Sequence, residues 1–350
     1  YANPLITWEV SYKTNVAVEL GLFKNALNIV AEYYHENRTN IVQVRQDIPS
    51  VLGLTSDVRT NFGEAKGKGL DLTMDYSKSL THSMWFIVRG NFTYGTSKIT
   101  VYDELDYSKV APWKSVVGQK VGQSKGYVAE RLFIDDKEVQ NSPKQEVSSN
   151  GGDYQAGDIK YRDINGDGVI NDLDIVPMGY PSNPEIQYGA GFSFGYKNLD
   201  LSVFLQGETH YSFFLDAAAM APFVEVSSGG RKGNRALLNF ITQSVWTETN
   251  RDVYAKWPRL SPEVGNAAIG NNNNFVKSNY WLRTVGYMRL KSVEIGYKLD
   301  KIKGFSPRIY FSGTNLLTFS KFKLWDPEMR GNGLSYPIQR VFNVGVQADF

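Results

Sequence analysis

The chain has 350 residues, with Lys+Arg 38 against Asp+Glu 36 for a net charge of +2, aromatics at 13 % and 32 glycines. Charge balanced and spread along the sequence excludes the broad basic face that duplex nucleic acid requires, and the absence of cysteine excludes disulfides, thiolate metal sites and a cysteine nucleophile. Aromatics and glycines in this proportion suit many strands joined by turns, and no run approaches the roughly 18 apolar residues of a membrane helix.

The first predicted element is a strand from Trp8 to Leu22. Trp8, Val10, Tyr12, Thr14, Val16, Val18, Leu20 and Leu22 alternate there with Glu9, Ser11, Lys13, Asn15, Ala17, Glu19 and Gly21. Asn25 to Asn28 reads as a turn, and Leu27, Ile29, Ala31 and Tyr33 begin the return strand of a hairpin. A second pair follows, Leu70, Leu72, Met74 and Tyr76, then Met84, Phe86, Val88, Phe92 and Tyr94, with its turn near Thr81 and His82. The third pair is the cleanest: Ile186, Tyr188, Ala190, Phe192, Phe194 and Tyr196, a tight turn at Lys197-Asn198, then Leu199, Leu201, Val203 and Leu205. Three more strands are expected at 283–299, 308–319 and 337–350. The alternation slips phase near Lys291-Ser292, which predicts a bulge or a membrane boundary there.

Long connections separate the pairs. Residues 103–184 are rich in Gly, Asp, Ser and Lys, and 216–280 hold the tract Asn271 to Asn274 and a helix expected over Asn234–Glu248, where Leu237, Leu238, Phe240, Ile241 and Val245 recur at helical spacing. Strands of about fourteen residues exceed both the five or six of ordinary sheets and the ~9–11 that cross a bilayer at a tilt. The last strand sets Phe342, Val344, Val346 and Phe350 on one side and stops on an aromatic residue, a pattern that predicts an outer-membrane barrel and its assembly signal. The expected fold class is therefore all-β: about nine strands of an antiparallel transmembrane β-barrel, with 103–184 and 216–280 as long extracellular loops. A soluble β-sandwich is the competing reading.

Asp163, Asn165 and Asp167 at alternate positions before Gly168, with Asp174 at the twelfth, follow the spacing of a calcium loop. The candidate ligands of a structural Ca²⁺ are Asp163, Asn165, Asp167, the Val169 carbonyl, Asn171 through water, and Asp174. Asp replaces the usual Glu at the twelfth position, and Pro177 limits an exit helix, so the loop would staple a segment rather than act as a sensor. The plain alternative is an Asp/Asn/Gly turn without metal. Gly122-Gln123-Ser124-Lys125-Gly126 matches a hydrolase pattern but lacks the buried strand before it and the helix after it. Asp135-Asp136 and Asp103-Glu104 read as solvated charge rather than paired catalytic acids, and no enzyme is expected. Trp113, Tyr127 and Trp257 are candidate platforms for a sugar ring or peptide side chain, with loop anchoring or contact with a partner as the alternatives.

Several segments carry a resemblance through their order and spacing. They are Trp8-Glu9 with Lys13 and Asn15; Val121-Gly122-Gln123 through Gly126-Tyr127; Gly157-Asp158-Ile159-Lys160-Tyr161-Arg162-Asp163 running into Asn165-Gly166-Asp167-Gly168; Ser244-Val245-Trp246-Thr247; and Trp257-Pro258-Arg259-Leu260. Later come Tyr287-Met288-Arg289-Leu290-Lys291-Ser292-Val293, Ile295-Gly296-Tyr297, Ser312-Gly313-Thr314-Asn315-Leu316-Leu317, Trp325-Asp326-Pro327-Glu328 and Tyr336-Pro337. Together they resemble the carboxy-terminal half of the SusC-like family of TonB-dependent outer-membrane transporters. The resemblance implies a 22-stranded barrel with a plugged lumen, of which this chain, lacking plug sequence, is the carboxy-terminal part. It further implies an outer-membrane location in a Gram-negative bacterium, handling by the barrel assembly machinery, and a SusD-like surface lipoprotein closing over the loops. TonB would act through the plug, and oligosaccharide or oligopeptide would be the cargo. The inward rows, among them Glu9, Lys13, Asn15, Glu19, Asp71, Thr73 and Asp75, would face the plug or the transit path. A structural or adhesive barrel without transport, and a soluble carbohydrate-binding β protein, are the alternatives.

Overall fold

A computed structural model describes residues 5–46, 48, 50–53, 56–147, 154–223, 225–228, 231–260, 273–300 and 306–349. Nine strands form one antiparallel sheet in chain order: β1 (Val10–Leu22), β2 (Leu27–Val44), β3 (Arg59–Thr81), β4 (Met84–Val101), β5 (Ile186–Tyr196), β6 (Leu199–Phe214), β7 (Leu282–Lys298), β8 (Ser306–Ser320) and β9 (Val341–Asp349). Each expected strand is present. β2, β3 and β4 run farther than their alternation, because cross-strand pairing continues where lysines and glycines interrupt the apolar pattern. The sheet is open, and β1 and β9 have no further strand beside them among the described residues.

Residues directly opposite in an antiparallel pair share a face, so the register defines rows across the whole wall. One outer row is Leu20, Ile29, Met74, Gly90, Ala190, Leu205, Leu290 and Leu317. The neighbouring inner row is Glu19, Val30, Thr73, Asn91, Gly189, Gln206, Arg289 and Thr318. The slip at Lys291 is a bulge: Phe204 pairs with Ser292 and Leu205 with Leu290, leaving Lys291 unopposed. That extra residue keeps Leu290 and Val293 on the same outer face, which a regular strand would not.

The outer apolar rows run eleven residues on several strands, Met84 to Tyr94, Ile186 to Tyr196 and Ile309 to Phe319. The ten rises between their ends cover about 34 Å of strand, or about 26 Å in height at a 40° tilt, close to the ~25 Å apolar band of a membrane barrel. No helix among the described residues is long and apolar enough to cross a membrane.

The short connections are tight. The first turn comprises Phe23 to Ala26, with Phe23, Lys24 and Asn25 at positive φ, two residues earlier than expected; Lys197-Asn198 turns as read, with Lys197 at φ 53°. At this end of the wall Trp85 lies flat over Gly195, where any Cβ would collide with the indole. The long connections carry small ladders, Gln123–Gly126 with Val176–Pro181, Ala129–Leu132 with Ile159–Tyr161, and Lys144–Gln145 parallel to Val169–Ile170. The helix expected over Asn234–Glu248 is only one turn, Asn239–Thr242. Its apolar residues pack into the loop core from an irregular chain, and Val245 bridges to Trp257.

Candidate functional site

Two surfaces meet over the lumen side of the wall, the inner polar rows and a module built from the long loops. The module has a true core: Leu132, Ile159, Ile170, Met220, Ile241 and Trp257 are fully buried, and Trp281 stacks edge-on against Trp257 at 5.0 Å. The two loops fold together. Asn273 and Asn274, from the second loop, are buried against the first, where Asn274 receives the Ile159 N–H at 2.9 Å and donates to Asp158 at 2.7 Å, and Gln145 donates to Asn273 at 2.6 Å. Asn271 and Asn272 lie outside the described residues.

Asp158 is the charged centre of this module. Its carboxylate is 2.7 Å from Arg259 Nε; burial pushes the carboxyl above its ordinary range, against the pull of Arg259 and Asn274. Gly157 beside it sits at φ +83° beneath the Trp246 ring, a conformation and a closeness that only glycine allows. Thus the Gly157-Asp158, Trp246 and Trp257-Pro258-Arg259 segments of the sequence are mutual partners. A second cluster joins Glu138 to Arg131 at 2.6 Å and Lys160 at 2.9 Å. Burial raises the Glu138 carboxyl, yet Arg131, the Ile134 N–H and Lys160 outweigh it and bring the group down to about 2.

On the wall, Arg289 points inward and is buried, with Asp326 at 2.6 Å and Glu328 at 3.4 Å. Tyr287 donates to the same Glu328 at 2.5 Å, and the Asp216 N–H reaches the Gly331 carbonyl at 2.9 Å. The segment 321–336 is therefore drawn over the lumen face and clamped there. Tyr287-Met288-Arg289-Leu290 and Trp325-Asp326-Pro327-Glu328 stand as separate segments in the sequence; the signal that joins them is an inward arginine and a distant acidic pair. At the short-turn end Arg308 bridges Asp200 and Glu294, also on the inner face.

The candidate calcium residues close their own turns. Asp163 accepts the N–H of Gly166 at 2.6 Å and of Gly168 at 2.8 Å, Asp167 that of Val169 at 2.8 Å, and Asn171 that of Leu173 at 2.8 Å. Asp174 is buried and takes the N–H of Ile164 and of Asn171, at 2.7 and 2.8 Å, so it holds the two ends of the loop together. No group of three His, Cys, Asp or Glu suited to a metal occurs among the described residues.

Of the aromatic candidates, Tyr127 and Trp257 are 3 % and 1 % exposed, so their ring faces are enclosed by the module core rather than offered to a ligand. Trp113 is half-buried and donates its indole N–H to the Leu173 carbonyl at 2.8 Å. Tyr127 and Trp257 are thus packed as core side chains, while Trp113 keeps part of its ring at the surface. Ser124 is buried in the strand Gln123–Gly126, Asp135 caps the helix Asp136–Gln140, and Asp103 pairs with Arg45 at 2.7 Å. Phe342, Val344 and Val346 form the expected exposed row on β9; Phe350 lies outside the described residues. A cleft of about 450 Å³ opens on the module beside Asp136, Trp246, Glu248, Arg251 and Arg259.

No family model matches the chain. Over 380 and 381 residues it is 23 % and 25 % identical to TonB-dependent receptors P26 and P3 of Formosa agariphila, covering all of this chain and 35 % of each receptor. It is 21 % identical to TonB-dependent receptor SusC of Bacteroides thetaiotaomicron, covering 99 % of this chain and 32 % of that protein. Two structures, of the RagAB peptide transporter and of the RagAB peptide importer in the closed-closed state, match with TM-scores of 0.69 and 0.68 at 19 % and 18 % identity. They cover 100 % and 99 % of this chain and 36 % of the matched chain in each case. The resemblance read in the sequence holds: the chain is similar along its whole length to SusC and other TonB-dependent receptors, it shares the fold seen in the transporter, and it spans about a third of those proteins.

Proposed function

We propose that this relative of TonB-dependent receptors forms the carboxy-terminal part of the barrel wall of an outer-membrane importer of oligomeric nutrients, oligosaccharide or oligopeptide. The observation that carries the reading is the two-sided wall, oily along one face for the height of a bilayer and polar along the other, with loops drawn over the polar side. Backbone groups on an open sheet edge cannot stay unpaired in hydrocarbon, so strands outside this chain complete the barrel. A SusD-like surface lipoprotein closes over the long loops on the extracellular side, and TonB acts through a plug outside this chain. The wall performs no bond chemistry; its part is to enclose a wet path and to seat the loops.

The test uses the full-length protein. It should require detergent, migrate differently on a gel before and after heating, co-purify with a lipoprotein in mild detergent, and support TonB-dependent uptake of an oligomer. Stable dispersion of the folded protein in buffer without detergent overturns the reading.

The loop Asp163 to Asp174 is proposed to take a structural Ca²⁺ through Asp163, Asn165, Asp167, the Val169 carbonyl, Asn171 and Asp174, on the strength of ligand spacing and the bend at Gly168. Calorimetric titration of chelator-treated protein should show binding that Asp163→Ala and Asp167→Ala remove; an isotherm unchanged by either substitution ends the proposal.

A further inference from the structure

Along the outer face of β3, Tyr76, Met74, Leu72 and Leu70 are succeeded on the same side by Lys68 and Lys66. Along β4, Val88, Phe92 and Tyr94 are succeeded by Thr96 and Lys98. Oil gives way to cations at the same register on both strands, and at the end of the wall that carries the long loops. Lys66 stands opposite Lys98, Lys98 bridges to Lys120 of the first loop, and Lys68 lies between His35 and Thr96. Lys120 has a counter-ion in buried Glu185, at 2.7 Å. Lys66, Lys68 and Lys98 are exposed and have no carboxylate partner among the described residues.

Like charges directly opposite on one face of a sheet are destabilising. Here Lys66, Lys98 and Lys120 fall in one row across neighbouring segments, and one glutamate offsets them. With His35 and Lys68 they line a groove of about 400 Å³. Lys68 lies about 7 Å and Lys66 about 13 Å along the strand beyond Leu70, less in height once the strand tilts, and lysine stems reach back toward the interface. That is the depth of the headgroup layer, which adds ~5–8 Å to each side of the hydrocarbon.

We propose that this groove seats the phosphate of a lipid headgroup in the surrounding outer leaflet. A phosphate monoester brings a charge of about −1.5 to −2 and three strong acceptor oxygens, enough to bridge several ammonium groups that a lone carboxylate would satisfy only in part. The position on the oily side, away from the lumen, selects a lipid over cargo. The inference rests on the membrane reading above.

The full-length protein is inserted into phosphatidylcholine vesicles doped with diphosphoryl lipid A or with its dephosphorylated form, and bound lipid is measured by native mass spectrometry after extraction. The phosphorylated lipid should be retained preferentially. Lys66→Gln and Lys98→Gln should each weaken retention about fivefold, while Lys66→Arg with Lys98→Arg preserves it. Removing repelling charges leaves folding intact, which gel migration before and after heating checks. Equal retention of the two lipids, or of parent and glutamine variants, overturns the headgroup proposal alone and leaves the oily wall standing. Failure to enter neutral vesicles overturns the membrane reading and this inference together.

Discussion

On β9, Val344 and Val346 stand 76 % and 69 % exposed, while in the loop module Trp257 and Leu132 are 1 % and 0 % exposed. The wall turns its large apolar groups outward and holds its strands by backbone pairing; the module turns them inward and is held by a core, much as a small soluble domain would be. The contrast shows that hydrophobicity alone does not fix direction: the medium on each side does. In the module burial of carbon is the main stabilising term, and in the wall, on the proposed membrane reading, carbon is placed where lipid would replace water.

The comparison can be tested by substitutions that one region tolerates and the other does not. Trp257→Ala should have the largest effect, removing about 3–5 kcal/mol from the module. Denaturant unfolding followed by limited proteolysis of the loops should show this while heat-modifiable migration of the wall stays unchanged; loss of both together would mean that wall and module are one cooperative unit. Next is Phe192→Arg, halfway along β5 on the outer face, which should cost about 2–4 kcal/mol in equilibrium refolding into vesicles, whereas Ser193→Arg on the inner face should cost clearly less. Equal costs would place lipid on neither side. Gly195→Ala should cost about 1–3 kcal/mol, because a Cβ there forces Trp85 off its seat; a stability indistinguishable from the parent would show that the indole moves freely.

The smallest effect is one of pH. The folded Glu138 carboxyl sits at about 2, below its ordinary 4.5, so its contribution is fully present above the unfolded value and disappears as pH falls from about 4.5 through about 2. Proteolysis of the loops should quicken across that window, and Glu138→Gln should flatten the profile. An unaltered profile in the variant would assign the acid sensitivity to other groups.

The wall was nearly all legible in the sequence because a period of two with one oily side admits few readings, and even the bulge at Lys291 announced itself as a phase slip. The upper parts of β2, β3 and β4 were not, since Lys66, Gly67 and Lys68 there carry no two-sided pattern although pairing continues. The module was opaque for a different reason. Leu237, Leu238, Phe240 and Ile241 recur at helical spacing, yet irregular chain wrapped round Trp257 buries them equally well, and spacing cannot tell the two apart. Nor does an aromatic ring declare whether it faces solvent, which is why Tyr127 and Trp257 read as platforms and turned out to be core. The pairings of Asp158 with Arg259 and of Arg289 with Asp326 join residues too far apart in sequence for local pattern to connect.

In the clamp Arg289 is buried while Asp326 and Glu328 are partly so, and ions in solution screen partly buried pairs far less than exposed ones. If the lysine groove holds a headgroup phosphate as proposed, brine should therefore wash it out well before it loosens the inner strap. The bore would keep the same clearance in dilute and concentrated surroundings, while the barrel's grip on neighbouring lipid would loosen and tighten with them.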